Sequence, residues 1–197
     1  MRFALLGLLL VSSMGFEARA DQFVLDKQHT EIRFSWDHLG LSRQSGKFTD
    51  LSGTVSFDGE KPDATTVNVT IPVASMNTGV PPLDTALVKT KDYFDVPTHP
   101  TITFKSTSVR VTGDKTAELE GNLSINGVTK PITLAVVWNF LGQHPLGAVN
   151  PTFAGKIAAG FSARTQILRS EWGMSRLIPL VSDEIRISIE AEMHRQE

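Results

Sequence analysis

Ala117-Glu118-Leu119-Glu120-Gly121-Asn122-Leu123-Ser124-Ile125-Asn126-Gly127-Val128-Thr129-Lys130-Pro131-Ile132-Thr133-Leu134-Ala135-Val136-Val137-Trp138-Asn139-Phe140 is the stretch that decides the fold. In its first half Leu119, Leu123 and Ile125 take one side, and Glu118, Glu120 and Asn122 take the other. After the turn, Ile132, Leu134, Val136, Trp138 and Phe140 share one phase. Alternation with period two marks a half-buried strand. An Asn-Gly pair between two such runs is the strongest short hairpin signal, because both residues tolerate the positive φ of a type I′ turn. Ala135 and Val137 make the opposite face of the second run apolar too, which predicts a central strand covered on both sides.

The same rhythm extends in both directions. Glu31 to His38 places Ile32, Phe34, Trp36 and His38 on one side; Leu51 to Phe57 groups Leu51, Val55 and Phe57 before an Asp58-Gly59 turn. Thr66 to Val73 alternates, with Pro72 marking an end or an edge because it cannot donate to a ladder. Thr101 to Val111 begins with Ile102 and Phe104 on one face and ends with Val109 and Val111 on the other, which predicts a β-bulge or break near Thr107. Phe153 to Ala163 carries Phe153, Ile157 and Phe161, and Asp183 to Met193 carries Ile185, Ile187, Ile189 and Met193. The exception is Met76 to Pro100. There Val80-Pro81-Pro82 stops a strand, Leu83, Leu87 and Phe94 recur at helical spacing, and Asp84 suits a helix N-terminus. A short helical excursion is expected near residues 82–95. Many antiparallel strands without a βαβ rhythm imply an all-β protein, either a closed sheet or a sandwich.

Residues 1–20 have the form of a secretory leader: Arg2, an apolar Phe3 to Phe16, and the small-x-small Ala18-Arg19-Ala20 before Asp21. The apolar run is shorter than the ~18 to 20 residues of a spanning helix, so cleavage before Asp21 and export, to a periplasm, are expected. A mature domain of residues 21–197 follows, with no break in composition. Setting aside Arg2, Glu17 and Arg19 leaves 17 basic and 20 acidic residues. That mild balance disfavours nucleic acid as partner and electrostatic docking on an anionic membrane, and no stable membrane insertion is expected. With no cysteine in the chain, stability must come from the core, and thiolate catalysis and Cys-ligated metals are excluded.

Chemistry-bearing motifs are sparse. His29, His38, His99, His144 and His194 form no metal-spaced pair. Neither a Gly-x-Ser-x-Gly elbow nor a phosphate loop is present. No cofactor, metal or catalytic residue is therefore assigned. What remains is an exported β domain with one very apolar face, which can fill its own interior or enclose a ligand. Phe34, Trp36, Phe104, Trp138, Phe161 and Ile187 face inward in either case, as packed core or as pocket lining, and His38 shares the phase of Phe34 and Trp36.

The order of short motifs carries a family resemblance. Asp26-Lys27-Gln28-His29-Thr30-Glu31-Ile32-Arg33-Phe34 opens it, and His38-Leu39-Gly40-Leu41-Ser42 and Gly53-Thr54-Val55-Ser56-Phe57-Asp58 continue it. The most specific stretches are Asp84-Thr85-Ala86-Leu87-Val88-Lys89-Thr90-Lys91-Asp92-Tyr93-Phe94-Asp95 and His99-Pro100-Thr101-Ile102-Thr103-Phe104-Lys105-Ser106. Arg169-Ser170-Glu171-Trp172-Gly173-Met174 closes it. Over essentially the whole mature chain the sequence resembles the YceI-like family of periplasmic polyisoprenoid-binding proteins, departing at Ala86, where histidine is frequent, and at Trp172, where phenylalanine or tyrosine is usual. The resemblance implies a lipocalin-like antiparallel barrel with a long internal pocket for a polyisoprenoid or similar long apolar lipid, with an isoprenoid quinone or prenyl phosphate among the candidates. At about 0.3 kcal/mol per heavy atom, a ~40-carbon tail would be held by roughly 12 kcal/mol without a strong headgroup contact.

Three functions follow. The leading one is a non-catalytic carrier or sequestering protein, its ligand touching Phe34, Trp36, His38, Leu87, Phe94, Phe104, Trp138, Phe161 and Ile187, with residues 81–95 as gate or plug at the pocket's end. The second is an enzyme acting on such a lipid, with Asp84, Asp92, Arg169 or Glu171 near the headgroup; Asp84, Arg169 and Glu171 are also the headgroup candidates of a carrier. The third is an interaction protein with a filled core. The oligomeric state is left open.

Overall fold

Ile125 pairs with Val128 across a two-residue turn in which Asn126 has φ 51° and Gly127 φ 73°. Both signs are those of a type I′ hairpin. The positive φ favours glycine at 127, and a Cβ there would stand 2.8 Å from His99 Cε1, so the imidazole would have to shift.

The computed structural model describes residues 20–197; the leader expected at 1–20 lies, apart from Ala20, outside them. In chain order the strands are β1 (Asp21–Leu25), β2 (Glu31–His38), β3 (Ser42–Phe48), β4 (Ser52–Phe57), β5 (Thr66–Pro72), β6 (Met76–Asn77), β7 (Thr101–Gly113), β8 (Thr116–Ile125), β9 (Val128–Gln143), β10 (Ile157–Leu168) and β11 (Glu184–Arg195). One helix, α1 (Pro81–Lys89), interrupts them. Pairing is antiparallel between each pair of neighbours. β1, β4, β5, β7, β8, β9, β10 and β11 follow one another around a circle that β1 closes against β11, a lipocalin-like eight-stranded barrel.

The circle branches at β11. Met193 to Arg195 pair with β1, whereas Arg186 to Glu190 pair with β2, from which β3 and β6 continue the wall. The break between β1 and β2 is bridged at Glu192: the Asp26 amide donates to Glu192 O at 2.9 Å, and Thr30 Oγ1 donates to the same carbonyl at 3.0 Å while accepting from Glu192 N at 3.2 Å.

Bulges adjust which side chains face inward. Ser106 pairs with Gly121 and Ser108 with Glu120, leaving Thr107 as the extra residue where the phase of the apolar residues predicted one. The bulge puts Ile102, Phe104 and Val109 all on the inner face. A second bulge, at Asn139 between Trp138↔Phe161 and Phe140↔Gly160, was not expected. It leaves Trp138 inside and turns Phe140 outward, correcting the inward placement of Phe140. The outer face of β9 is also open rather than covered, since Ala135 and Val137 are exposed.

α1 begins with Pro81 and Pro82 at its first two positions, where the missing N–H groups would be unpaired anyway. It ends at Thr90, whose amide donates to Ala86 O. Nothing in it is fully buried, but Leu87 and Val88 pack on the core edge. The tightest packing lies elsewhere, around Phe23, Leu51, Val55, Phe57 and Val73, and under Trp172, whose indole Nε1 donates to Leu123 O at 3.3 Å.

Candidate ligand-binding site

Inside the barrel is a cavity of about 570 Å³, within the usual range for a small-molecule site. On β11 the residues Ile185, Ile187, Ile189, Ala191 and Met193 all line it. Eight residues of rise at ~3.3 Å, tilted ~40° to the barrel axis, make it roughly 20 Å deep. One leaflet of a bilayer core is about 15 Å thick, so the depth suits a lipid tail. The inward isoleucines of β11 and Phe34 of β2 are only partly buried although they point at the core, because the surface they retain faces this space.

Aromatic side chains shape both halves. Phe57 meets Trp138 edge-on at 5.3 Å and Phe161 edge-on at 5.1 Å, and Phe34 lies against Trp36 at 5.9 Å and Phe48 at 5.4 Å. Among the described residues the wall carries three charged side chains: Asp114 and Lys115 in the β7–β8 turn at one end, and Arg169 at the other.

All nine residues expected as lining are on this wall: Phe34, Trp36, His38, Leu87, Phe94, Phe104, Trp138, Phe161 and Ile187. Of the three headgroup candidates only Arg169 is there. Asp84 is off the wall because its carboxylate is occupied in the turn before α1, where Oδ1 accepts from Thr78 N at 2.8 Å and Thr78 Oγ1 at 2.7 Å. Glu171 is exposed, at the outside of the 3-10 turn Arg169–Trp172. Asp92 pairs in solvent with Arg176 at 3.0 Å. The acidic residues named for an enzymatic reading therefore do not converge.

Arg169 itself is buried and held without a carboxylate in hydrogen-bond contact. Its Nε donates to Ser182 O at 2.9 Å, Nη1 to Met174 O at 2.5 Å, and Nη2 to Arg176 O at 2.9 Å and Val181 O at 3.0 Å. Four of its five N–H groups thus fasten the 174–182 loop, and one on Nη1 is left over. Burial lowers the guanidinium below its ordinary value, opposed by Tyr93 and Asp183. It stays a cation at working pH, the only one at this end of the wall among the described residues. Tyr93, Gln44 and Thr78 join Arg169 and His38 as the polar lining there. Sequence patterns missed these three, since Tyr93 lies beyond α1 and Gln44 stands in the strand Ser42-Arg43-Gln44-Ser45, which has no apolar alternation.

Among the described residues one group has metal-like spacing, Asp26, His29 and Glu192, outside the cavity; the His29 imidazole is committed to Asp26 Oδ2 through Nδ1 at 2.8 Å.

Comparison with known proteins agrees with the architecture. The YceI-like domain model matches residues 23–193. A UPF0312 protein of Azotobacter vinelandii is 36% identical over 182 residues, covering 91% of this chain and 90% of that protein. BcnA of Burkholderia cenocepacia superposes with a TM-score of 0.74 at 23% identity, over 85% of this chain and 98% of that one. A polyisoprenoid binding domain from Saccharophagus degradans superposes with a TM-score of 0.66 at 15% identity, over 88% and 98%. Both structures share the fold. With its barrel closed around an apolar cavity and a family match running from β1 into β11, the chain belongs to the YceI-like family.

Proposed function

We propose that the protein is a non-catalytic carrier of a long-chain polyisoprenoid or similar amphipathic lipid, acting in the periplasm after removal of residues 1–20. The observation that carries this reading is the cavity, roughly 20 Å deep, whose largely apolar wall carries charged side chains only at its two ends. A filled-core interaction protein would leave no such space, because eight-stranded barrels can close completely over their own side chains. A neighbour in fold is named for polyisoprenoid binding, which fits the same chemistry. Burial of a tail along Phe34, Trp36, Phe104, Trp138, Phe161 and Ile187 supplies affinity at ~0.8 kcal/mol per methylene before ordering costs. The remaining Arg169 N–H and the Tyr93 hydroxyl favour a headgroup that accepts hydrogen bonds, as a quinone carbonyl or a phosphate does.

The test is organic extraction of protein purified from the periplasm, followed by mass spectrometry. A long-chain lipid at close to one per protein is expected. Protein that yields none, and that takes up no prenol or quinone from detergent, would defeat the proposal.

A further inference from the structure

At the end of the barrel where Arg169 sits, two turns and the start of α1 expose leucine and valine side chains to solvent. Leu41 is 82% exposed, Leu180 62% and Leu177 51%, with Val80 and Leu39 close behind. They form one rim. The Leu39 amide donates to Leu180 O at 2.8 Å, His38 bridges to Val181, and the Val181 amide donates to Leu177 O at 2.9 Å. The rim is also continuous with the cavity, because Val80, Leu177 and Val181 belong to its wall.

The backbone works to keep these side chains out. Leu39 has φ 56° and Leu177 φ 63°, a region that residues with a Cβ seldom adopt. Neither turn contains a charged residue: residues 38–42 read His-Leu-Gly-Leu-Ser and 177–182 read Leu-Ile-Pro-Leu-Val-Ser. An arginine abuts each, Arg43 paired with Asp37 and Arg176 paired with Asp92. Uncharged apolar tips with long cationic stems behind them are what a headgroup layer accepts. An exposed rim of this kind is otherwise a liability in water.

We propose that this end of the barrel docks reversibly on a phospholipid bilayer, with Leu39, Leu41, Leu177 and Leu180 entering it, so that ligand passes between membrane and cavity without crossing water. The proposal rests on the carrier reading, since only a lipid ligand requires the mouth and the docking surface to coincide. Docking is hydrophobic: with the nearby arginines paired, zwitterionic lipid suffices and salt has little effect. A second exposed pair, Leu146 and Val149 in the 144–150 loop, shares no residue with the cavity wall and serves as the control.

The experiment is co-sedimentation of the mature protein with sucrose-loaded phosphatidylcholine vesicles. Wild type partitions to the vesicles. The Leu41→Asp, Leu180→Asp double variant loses about tenfold or more in partition at an unchanged thermal midpoint, as expected for side chains that make no core contact. Val149→Asp partitions like wild type. Wild-type protein that stays in the supernatant, or a double variant that partitions equally well, overturns the proposal, and so does partition that needs anionic lipid and vanishes in 0.5 M salt. Organic extraction separates the two readings: a protein that yields lipid yet ignores vesicles keeps the carrier function and loses the docking surface, which would then fit a protein partner.

Discussion

Arg169→Met tests whether the cation on the cavity wall is first a clamp or first a headgroup contact. Methionine fills much of the same volume and removes all five donors. Four carbonyls, of Met174, Arg176, Val181 and Ser182, lose their partner. Each bond contributes about 1 kcal/mol net, and an orphaned buried carbonyl costs about 1–3 kcal/mol. Only the bond to Met174 O is fully buried, and the others can turn to water, so the total should be about 3–4 kcal/mol. Urea denaturation followed by tryptophan fluorescence measures it. The midpoint should fall at an unchanged m-value, and hydrogen exchange should rise across residues 174–182 while β8 to β10 stay protected. Arg169→Lys should recover less than half, because a single ammonium cannot reach carbonyls on three sides. A variant within about 0.5 kcal/mol of wild type would show that the four bonds are incidental and refute the clamp.

Three further outcomes follow from the same geometry. Asn126→Ala should destabilise by about 1–2 kcal/mol in thermal denaturation, because alanine resists φ 51° and loses the side-chain bonds to Tyr93 O and Trp172 O; an unchanged midpoint would contradict the turn assignment. The hydrogen bond that His29 Nδ1 donates to the Asp26 carboxylate raises the His29 pKa, so its stabilisation is complete below about pH 6.5 and disappears as pH rises through the folded value. The His29→Gln deficit should therefore be measurable at pH 5.5, absent at pH 8.5, and below about 1 kcal/mol because the pair is exposed; a deficit growing with pH would reverse the assignment. Leu87→Asp places a carboxylate on the cavity wall from a helix with no fully buried residue, and it should cost ligand retention with little global stability if α1 is a gate. Global unfolding, with α1 exchange indifferent to ligand, would make it a plug.

Period-two alternation made β2, β8, β9 and β11 readable, because a one-residue slip would bury their charges. The Thr107 bulge was readable for the same reason, since two apolar phases in one strand can share a core only across an extra residue. The Asn139 bulge was not. Phe140 kept the phase of Trp138 in sequence, and nothing local shows that Phe140 pairs with Gly160 instead of facing the core. The lining residues could be named from their phase, but whether they meet or leave a void depends on the circumference of the wall. That is set by long-range pairing, with β11 feeding both β1 and β2. Asp84 and Glu171 were plausible headgroup contacts by charge and position in the motif. Asp84 instead answers to Thr78, and Glu171 sits on the outer side of a turn whose inner side is Trp172.

The parts at the Arg169 end act on one another. Trp172 is buried at the end of the 3-10 turn that Arg169 opens, and its indole ties that turn to Leu123 O. Arg169 then holds the 174–182 loop through its carbonyls, leaving that loop's side chains unassigned. Those side chains divide among three surroundings: Met174 packs in the core, Val181 and Leu177 reach the cavity, and Leu180 faces solvent. Because Arg169 fastens this loop through backbone carbonyls, Leu180 can face outward at little risk to the fold. The mouth of the cavity is thus built from a rigid cation and a loop whose apolar tips are not needed for stability. Ligand affinity should follow the wall, and exchange with a membrane should follow the rim, with Arg169 the residue whose loss disturbs both.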